Sequence, residues 1–174
     1  MPAHNPSLPL SVVPADFAAP IGEFCLAFQR IEDELDEICF ETLSNDDYDF
    51  YANNQPLNKK LETSRTAIIS SYQNEKDVLS ELFEKIIEVK DFRNNLIHAH
   101  AVASLHPGHT ILIRNRKRKD LGTFPLHIDE IGKCTDRVYL IIIAMENRRL
   151  GVSDWAEPLR HWTEPFKFFE AVER

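Results

Sequence analysis

The sequence predicts a mainly α-helical fold: a four-helix bundle with a short β-hairpin before its last core helix. Three observations point there. Apolar residues recur at three- and four-residue steps in four long stretches, the spacing that lines one face of an α-helix. Polar segments or segments holding Pro and Gly separate those stretches. One short β-branched run, Thr110 to Ile113, breaks the helical pattern just before the fourth stretch. Amphipathic helices joined by modest loops bury their stripes by packing on one another.

Residues 1–19 hold Pro2, Pro6, Pro9 and Pro14 and are expected to form a Pro-rich arm, extended or loosely docked. The helical domain is expected over 20–150. Its first helix starts near Pro20, which suits a first helical turn, and ends near Leu43. Ile21, Phe24, Cys25, Phe28, Ile31, Leu35 and Ile38 form its stripe. Glu32, Asp33, Glu34, Asp36 and Glu37 read as its solvated face, with no acid–base pair among them.

Ser44 to Gln55 is polar and reads as a loop. The second helix begins at Pro56 and carries Leu57, Leu61, Ile68 and Tyr72 on one side. Asn74 to Asp77 interrupts the pattern. The third helix runs from about Val78 to about Ala103, with Leu79, Leu82, Phe83, Ile86, Val89 and Leu96 facing inward.

His106-Pro107-Gly108-His109 is a turn. Thr110 to Ile113 is a strand, and Leu121 to Leu126 its partner, with a basic run at the hairpin tip. The fourth helix spans about Asp129 to Leu150, with Ile131, Cys134, Val138, Ile141, Ile142 and Met145 inward and Gly151 as its C-terminal cap. The extension 151–174 carries Trp155, Trp162, Phe166, Phe168 and Phe169. It is too aromatic for a free linker and is expected on the core or on a second subunit.

The composition, 43% hydrophobic and 28% charged, is that of a globular domain. No uncharged apolar stretch is long enough to span a bilayer, so no membrane partner is expected. The first 14 residues lack Lys and Arg and are broken by prolines, unlike a secretory leader. Three cysteines without a CxxC pair suit a reducing, cytoplasmic setting, and Cys25 and Cys134 read as small core residues. A net charge of −8 opposes non-specific binding to nucleic acid, yet Arg114 to Lys119 packs five positive charges into six residues.

The run Arg93-Asn94-Asn95-Leu96-Ile97-His98 carries the chemistry. Arginine binds phosphate oxygens with a planar fork. Histidine titrates near cellular pH and moves protons. Asparagine offers donors and an acceptor. RNA brings its own nucleophile, the 2′-hydroxyl, beside the scissile phosphate. A proton carrier and a charge stabiliser are then sufficient for cleavage without a metal. On an ideal helix Asn94 and His98 share a face, whereas Arg93 and His98 lie roughly 140° apart. Either Arg93 reaches round, or the helix distorts, or Arg93 serves a site shared with a second chain at a two-fold axis. An arginine and a histidine near a helix end also serve commonly as an ion-pairing residue and a terminal cap.

The motif resembles the signature of the HEPN superfamily, in which an arginine and a polar residue are followed, four to six residues after the arginine, by a histidine. Arg93, Asn94 and His98 match it position by position, in the third helix of a four-helix pattern. The resemblance covers about residues 20–150 and leaves out the arm and the aromatic extension. It implies a metal-independent endoribonuclease that acts as a homodimer with a composite site and uses no cofactor. Arg93 would bind and polarise the phosphate, His98 would transfer protons, and Asn94 would orient one of the two. The product would carry a 2′,3′-cyclic phosphate. Such domains serve as toxins, which implies a neutralising protein partner, or as effectors in defence and RNA processing. Others have lost catalysis and act as protein-interaction modules.

Weaker signals surround the motif. Arg114, Arg116, Lys117, Arg118 and Lys119 could grip an RNA backbone, or form a solvated hairpin tip that deters edge pairing. A nucleic-acid-binding regulator built on that run is a third reading, opposed by the net charge and the lack of a helix-turn-helix pattern. His98, His100, His106 and His109 cluster in sequence but lack metal-ligand spacing.

Overall fold

The computed structural model describes residues 15–52, 55–106, 110–115 and 123–162. It is mainly helical. Among the described residues there are five α-helices: α1 (Ala15–Thr42), α2 (Asn45–Ala52), α3 (Leu57–Ser71), α4 (Lys76–Ile97) and α5 (Ile128–Arg149). Between α4 and α5 lies an antiparallel sheet in the order β1 (Ala99–His106), β2 (Thr110–Asn115), β3 (Thr123–His127). The four long helices close a ring in which α1 touches α3, α3 touches α4, α4 touches α5 and α5 returns to α1. Within the ring lies one apolar core. No helix among the described residues is long and apolar enough to cross a membrane.

α1 is buried along one side through Phe17, Phe24, Ala27, Phe28, Ile31, Leu35, Ile38 and Cys39. This is the expected stripe extended at both ends, with Ile21 and Cys25 only partly buried at its edge. The extension explains why the arm is shorter than residues 1–19: Phe17 is fully buried, and the turn that carries it is helical from Ala15. Residues 1–14 lie outside the described residues. Pro20 therefore sits inside α1 and not in its first turn. It cannot donate to the Asp16 carbonyl, but Asp16 is exposed, so water can satisfy that acceptor.

The expected loop at 44–55 contains α2. The Ser44 hydroxyl accepts from the Asp47 N–H at 3.3 Å and donates to the Asp47 carboxylate at 2.6 Å, which caps the helix start. Phe40 and Tyr48 then meet edge to face, 5.2 Å apart.

Ion pairs show the directions of the helices. Arg30–Glu146 (2.8 Å) and Glu34–Arg149 (3.5 Å) advance together, so α1 and α5 run the same way. Glu75–Arg148 (3.1 Å) and Glu88–Arg137 (3.5 Å) run in opposite order, so α4 and α5 are antiparallel. The end of α4 and the start of α5 thus lie at one end of the molecule, and the sheet joins them.

The expected strand pair is present as β2 and β3, but α4 ends at Ile97 and 99–106 is a third strand. Ala99, Ala101 and Ala103 favour helix intrinsically. Pairing of Ala99 with Asn115 and Ala101 with Ile113 overrides that preference. Thr110, buried opposite His127, shares a 2.8 Å hydrogen bond with its Nδ1. The His127 N–H donates to the Glu130 carboxylate at 2.8 Å, tying the sheet to the first turn of α5.

Gly151 closes α5 as expected. Its φ of 73° lets its N–H reach the Arg148 carbonyl and the Val152 N–H reach the Asn147 carbonyl, both at 3.0 Å. In the extension, Trp155, Pro158 and Leu159 are buried. Trp162 packs against the core, with Lys85 Nζ 4.7 Å and the Arg137 guanidinium 4.8 Å from its ring centre. Phe166, Phe168 and Phe169 lie outside the described residues. Cys39 and Cys134 are buried, whereas Cys25 is partly buried and packs against the edge of the core.

Phe24 meets Phe92 of α4 edge to face at 5.1 Å and lies 6.4 Å from Phe28. Phe24→Ala is expected to lower stability by about 3–5 kcal/mol in urea denaturation. A loss below about 1 kcal/mol would show that this contact does not hold α1 to α4.

Candidate active site

Arg93 and Asn94 lie near the C-terminal end of α4 and His98 caps it, where the chain leaves the helix for the sheet. All three are partly buried. The His98 N–H donates to the Asn94 carbonyl at 3.1 Å, which closes the final turn. His98 has φ −89° and ψ −1°, still near helical values, so Asn94 and His98 occupy one side of the helix end.

Arg93 is engaged with α1. Its Nη2 lies 3.9 Å from Glu32 Oε1, and its guanidinium carbon stands 5.3 Å from the centre of the Phe28 ring. The side chains are 30% and 20% exposed for Arg93 and Glu32, so this edge of the site is reachable but not open. The structure therefore joins Asn94 to His98 and joins Arg93 to α1, as the angular separation along the helix requires.

α1 supplies the other flank of the site. Cys25, Phe28 and Glu32 follow at steps of three and four and line the flank of α1 nearest Arg93. Burial pushes the Glu32 carboxyl above its ordinary value. Arg93 and Lys60 pull it back, while Asp36 and Asp33 push it further up. Burial likewise raises the Cys25 thiol, against the pull of Arg93. The acidic side of α1 is thus not one solvated face. Glu32 reaches Arg93, Glu34 reaches Arg149, and Asp36 reaches Lys60 at 3.3 Å, while Asp33 and Glu37 are exposed. The signal for Glu32 was in the sequence: it sits four residues after Phe28, at the border of the apolar stripe.

The register brings the start of the basic run to the same end. Asn115 pairs with Ala99, the residue after His98, and Arg114 pairs with His100 on one side and Thr123 on the other. Arg116, Lys117, Arg118 and Lys119 lie outside the described residues. His100 and His106 fall on β1, and His109 lies outside the described residues. Among the described residues, no group of three or more His, Cys, Asp or Glu side chains could hold a metal.

Two surface grooves lie elsewhere. One of about 440 Å³ is lined by Tyr72, Glu75, Arg148 and Trp155, and one of about 350 Å³ by Leu61, Arg65, Phe83 and Lys90. Neither is lined by Arg93, Asn94 or His98.

The raised Glu32 carboxyl has a consequence for stability. A folded-state value above the unfolded one means that the native state holds the proton over the intervening window, so stability falls as pH rises through it. Glu32→Gln removes that penalty. The variant is expected to be at least as stable as wild type at neutral pH, and the difference should close below the ordinary glutamate range. Thermal unfolding across pH checks this. A variant clearly less stable at neutral pH would mean that the Arg93 pair outweighs the burial of Glu32.

No family model matches the chain, and no curated protein or solved structure does.

Proposed function

We propose that the chain is a metal-independent endoribonuclease of HEPN type, a bundle that works as a homodimer with a composite site. The observation that carries the reading is the Arg93-Asn94-x-x-x-His98 motif at the end of α4, partly exposed, with Asn94 and His98 in one closed turn. Arg93 would bind and polarise the scissile phosphate. His98 would take the proton from the 2′-hydroxyl, or return one to the departing 5′-oxygen, and Asn94 would orient one of these groups. The 2′-oxygen bonds to phosphorus as the P–O5′ bond breaks, leaving a 2′,3′-cyclic phosphate.

Arg93 points toward α1 while His98 sits at the sheet junction. A second copy related by a two-fold axis near His98 would supply the missing half of each site. Arg114 and the run Arg116 to Lys119 would hold the RNA backbone, and the pairing of Asn115 with Ala99 supports that role. In this reading the protein acts in the cytoplasm as a toxin or as a defence or RNA-processing effector, and a neutralising protein is a natural partner.

A second reading has one observation in its favour. Arg93 paired with Glu32 and resting on Phe28 is also what a structural arginine does, and it would suit a non-catalytic protein-interaction module.

Cleavage of structured and unstructured RNA in EDTA separates the two. The wild type is expected to cut, leaving cyclic phosphate ends, and His98→Ala to lose about 10²–10⁴-fold. No cleavage of any RNA, or equal cleavage by the variant, would remove the nuclease reading. Replacing Arg114, Arg116, Lys117, Arg118 and Lys119 by Gln should flatten the salt dependence of RNA binding, by about one unit of log–log slope for each phosphate no longer neutralised. An unchanged slope would place the run outside the binding surface.

A further inference from the structure

We infer that Glu32 on α1 is a positioning residue for the Arg93 site: its carboxylate holds the guanidinium against the Phe28 ring and gives it up when a phosphodiester binds. This rests on the reading of Arg93 as the phosphate-binding group.

Three features of the geometry carry it. First, the contact is of the kind that exchanges. At 3.9 Å from one guanidinium nitrogen, Glu32 attracts Arg93 without forming the short paired bonds of a full fork. A phosphodiester offers two oxygens matched to that fork and so competes well for it. Second, the seat is rigid. Phe28 is 1% exposed, and the Phe24–Phe92 contact fixes α1 against α4 one turn away. The guanidinium thus has a fixed ring on one side and a fixed carboxylate at its edge. Third, Glu32 is the acid that pairs with Arg93 among the described residues. Asp36, the next along the same flank of α1, is taken by Lys60, and Asp33 is exposed and accepts from Gln29 at 3.2 Å. Keeping a carboxylate at this partly buried position works against stability, and Arg93, with Lys60, offsets that burial.

Cys25 is a built-in reporter on this arrangement. Cys39 and Cys134 are buried, so alkylation of the full chain reads Cys25. Its thiol feels Arg93, while Glu32 is two helical turns away along α1, about 10 Å, where a direct effect is largely screened. The experiment measures the Cys25 alkylation rate at a fixed, mildly alkaline pH in wild type, Glu32→Gln, Arg93→Gln and the double variant. Arg93→Gln is expected to slow the reaction about 2- to 5-fold, because the cation that favours the thiolate is gone. Glu32→Gln is expected to change the rate about 2-fold or more in wild type and not in the Arg93→Gln background. An equal change in both backgrounds, or none in either, overturns the inference. A non-cleavable 2′-deoxy oligonucleotide should shift the wild-type rate and leave Arg93→Gln unaffected. Equal shifts in both would mean that Arg93 does not move to the phosphate.

The cleavage assay adds an independent arm. Glu32→Gln should lower kcat by about 10- to 100-fold with KM little changed, and Glu32→Asp should restore part of it. Unchanged kcat in a chain that does cleave also overturns the inference. Failure of the wild type to cleave defeats the nuclease reading alone, since the thiol cycle and the oligonucleotide still decide whether Glu32 holds Arg93.

Discussion

The fold depends on the one-sided burial of α1. Its apolar side, from Phe17 to Cys39, is the surface on which α3 and α5 assemble, and it meets α4 through Phe24 and Phe92. Its flanks then carry charges to three separate neighbours: Lys60 of α3, Arg93 of α4, and Glu146 and Arg149 of α5. Surface ion pairs contribute little stability individually. Their effect here is register, because each pair opposes rotation or sliding of a helix already held by apolar packing. The candidate site inherits its geometry from this arrangement, since the groups on either side of Arg93 come from α1.

A second constraint acts at the far end of α4. Helix and strand compete for residues 99–106, and the strand wins because β2 supplies partners for its backbone groups. That outcome places His98 at the last closed turn. It also brings the β2 residue Asn115 beside Ala99, so the position where the basic run begins is set by strand register and not by sequence distance. Thr110 and His127 at the other end of β2, and Glu130 in the first turn of α5, fix the same sheet to the bundle.

The long helices were legible because their stripes repeat over many turns: Leu79 through Leu96 and Ile131 through Met145 could be assigned from spacing alone. The short elements were not. α2 is eight residues with a weak stripe, and its signal is the Ser44–Asp47 cap, which in the sequence looks like loop polarity. β1 is alanine-rich, and only its long-range pairing with β2 makes it a strand. Arg93, Asn94 and His98 could be singled out by chemistry. Glu32 was legible only as an acid at the border of the stripe, because the cation that meets it comes from another helix.

Arg93 and His98 diverge because they stand five positions apart along a helix, with four residues between them, and no side-chain rotamer alters the rotation of the backbone. Ending the helix at Ile97 does not bring them together either, since His98 retains near-helical angles and its N–H still bonds to Asn94. Arg93 could turn toward His98 only by leaving Glu32 and the face of Phe28, and that requires a replacement for the carboxylate. A phosphate is such a replacement. The contact that looks like a structural ion pair in the isolated chain is therefore compatible with a binding role. What distinguishes the two is whether the pair exchanges, not whether it forms. A contact at 3.9 Å between partly exposed partners gives up less on exchange than a short, paired and fully buried one would.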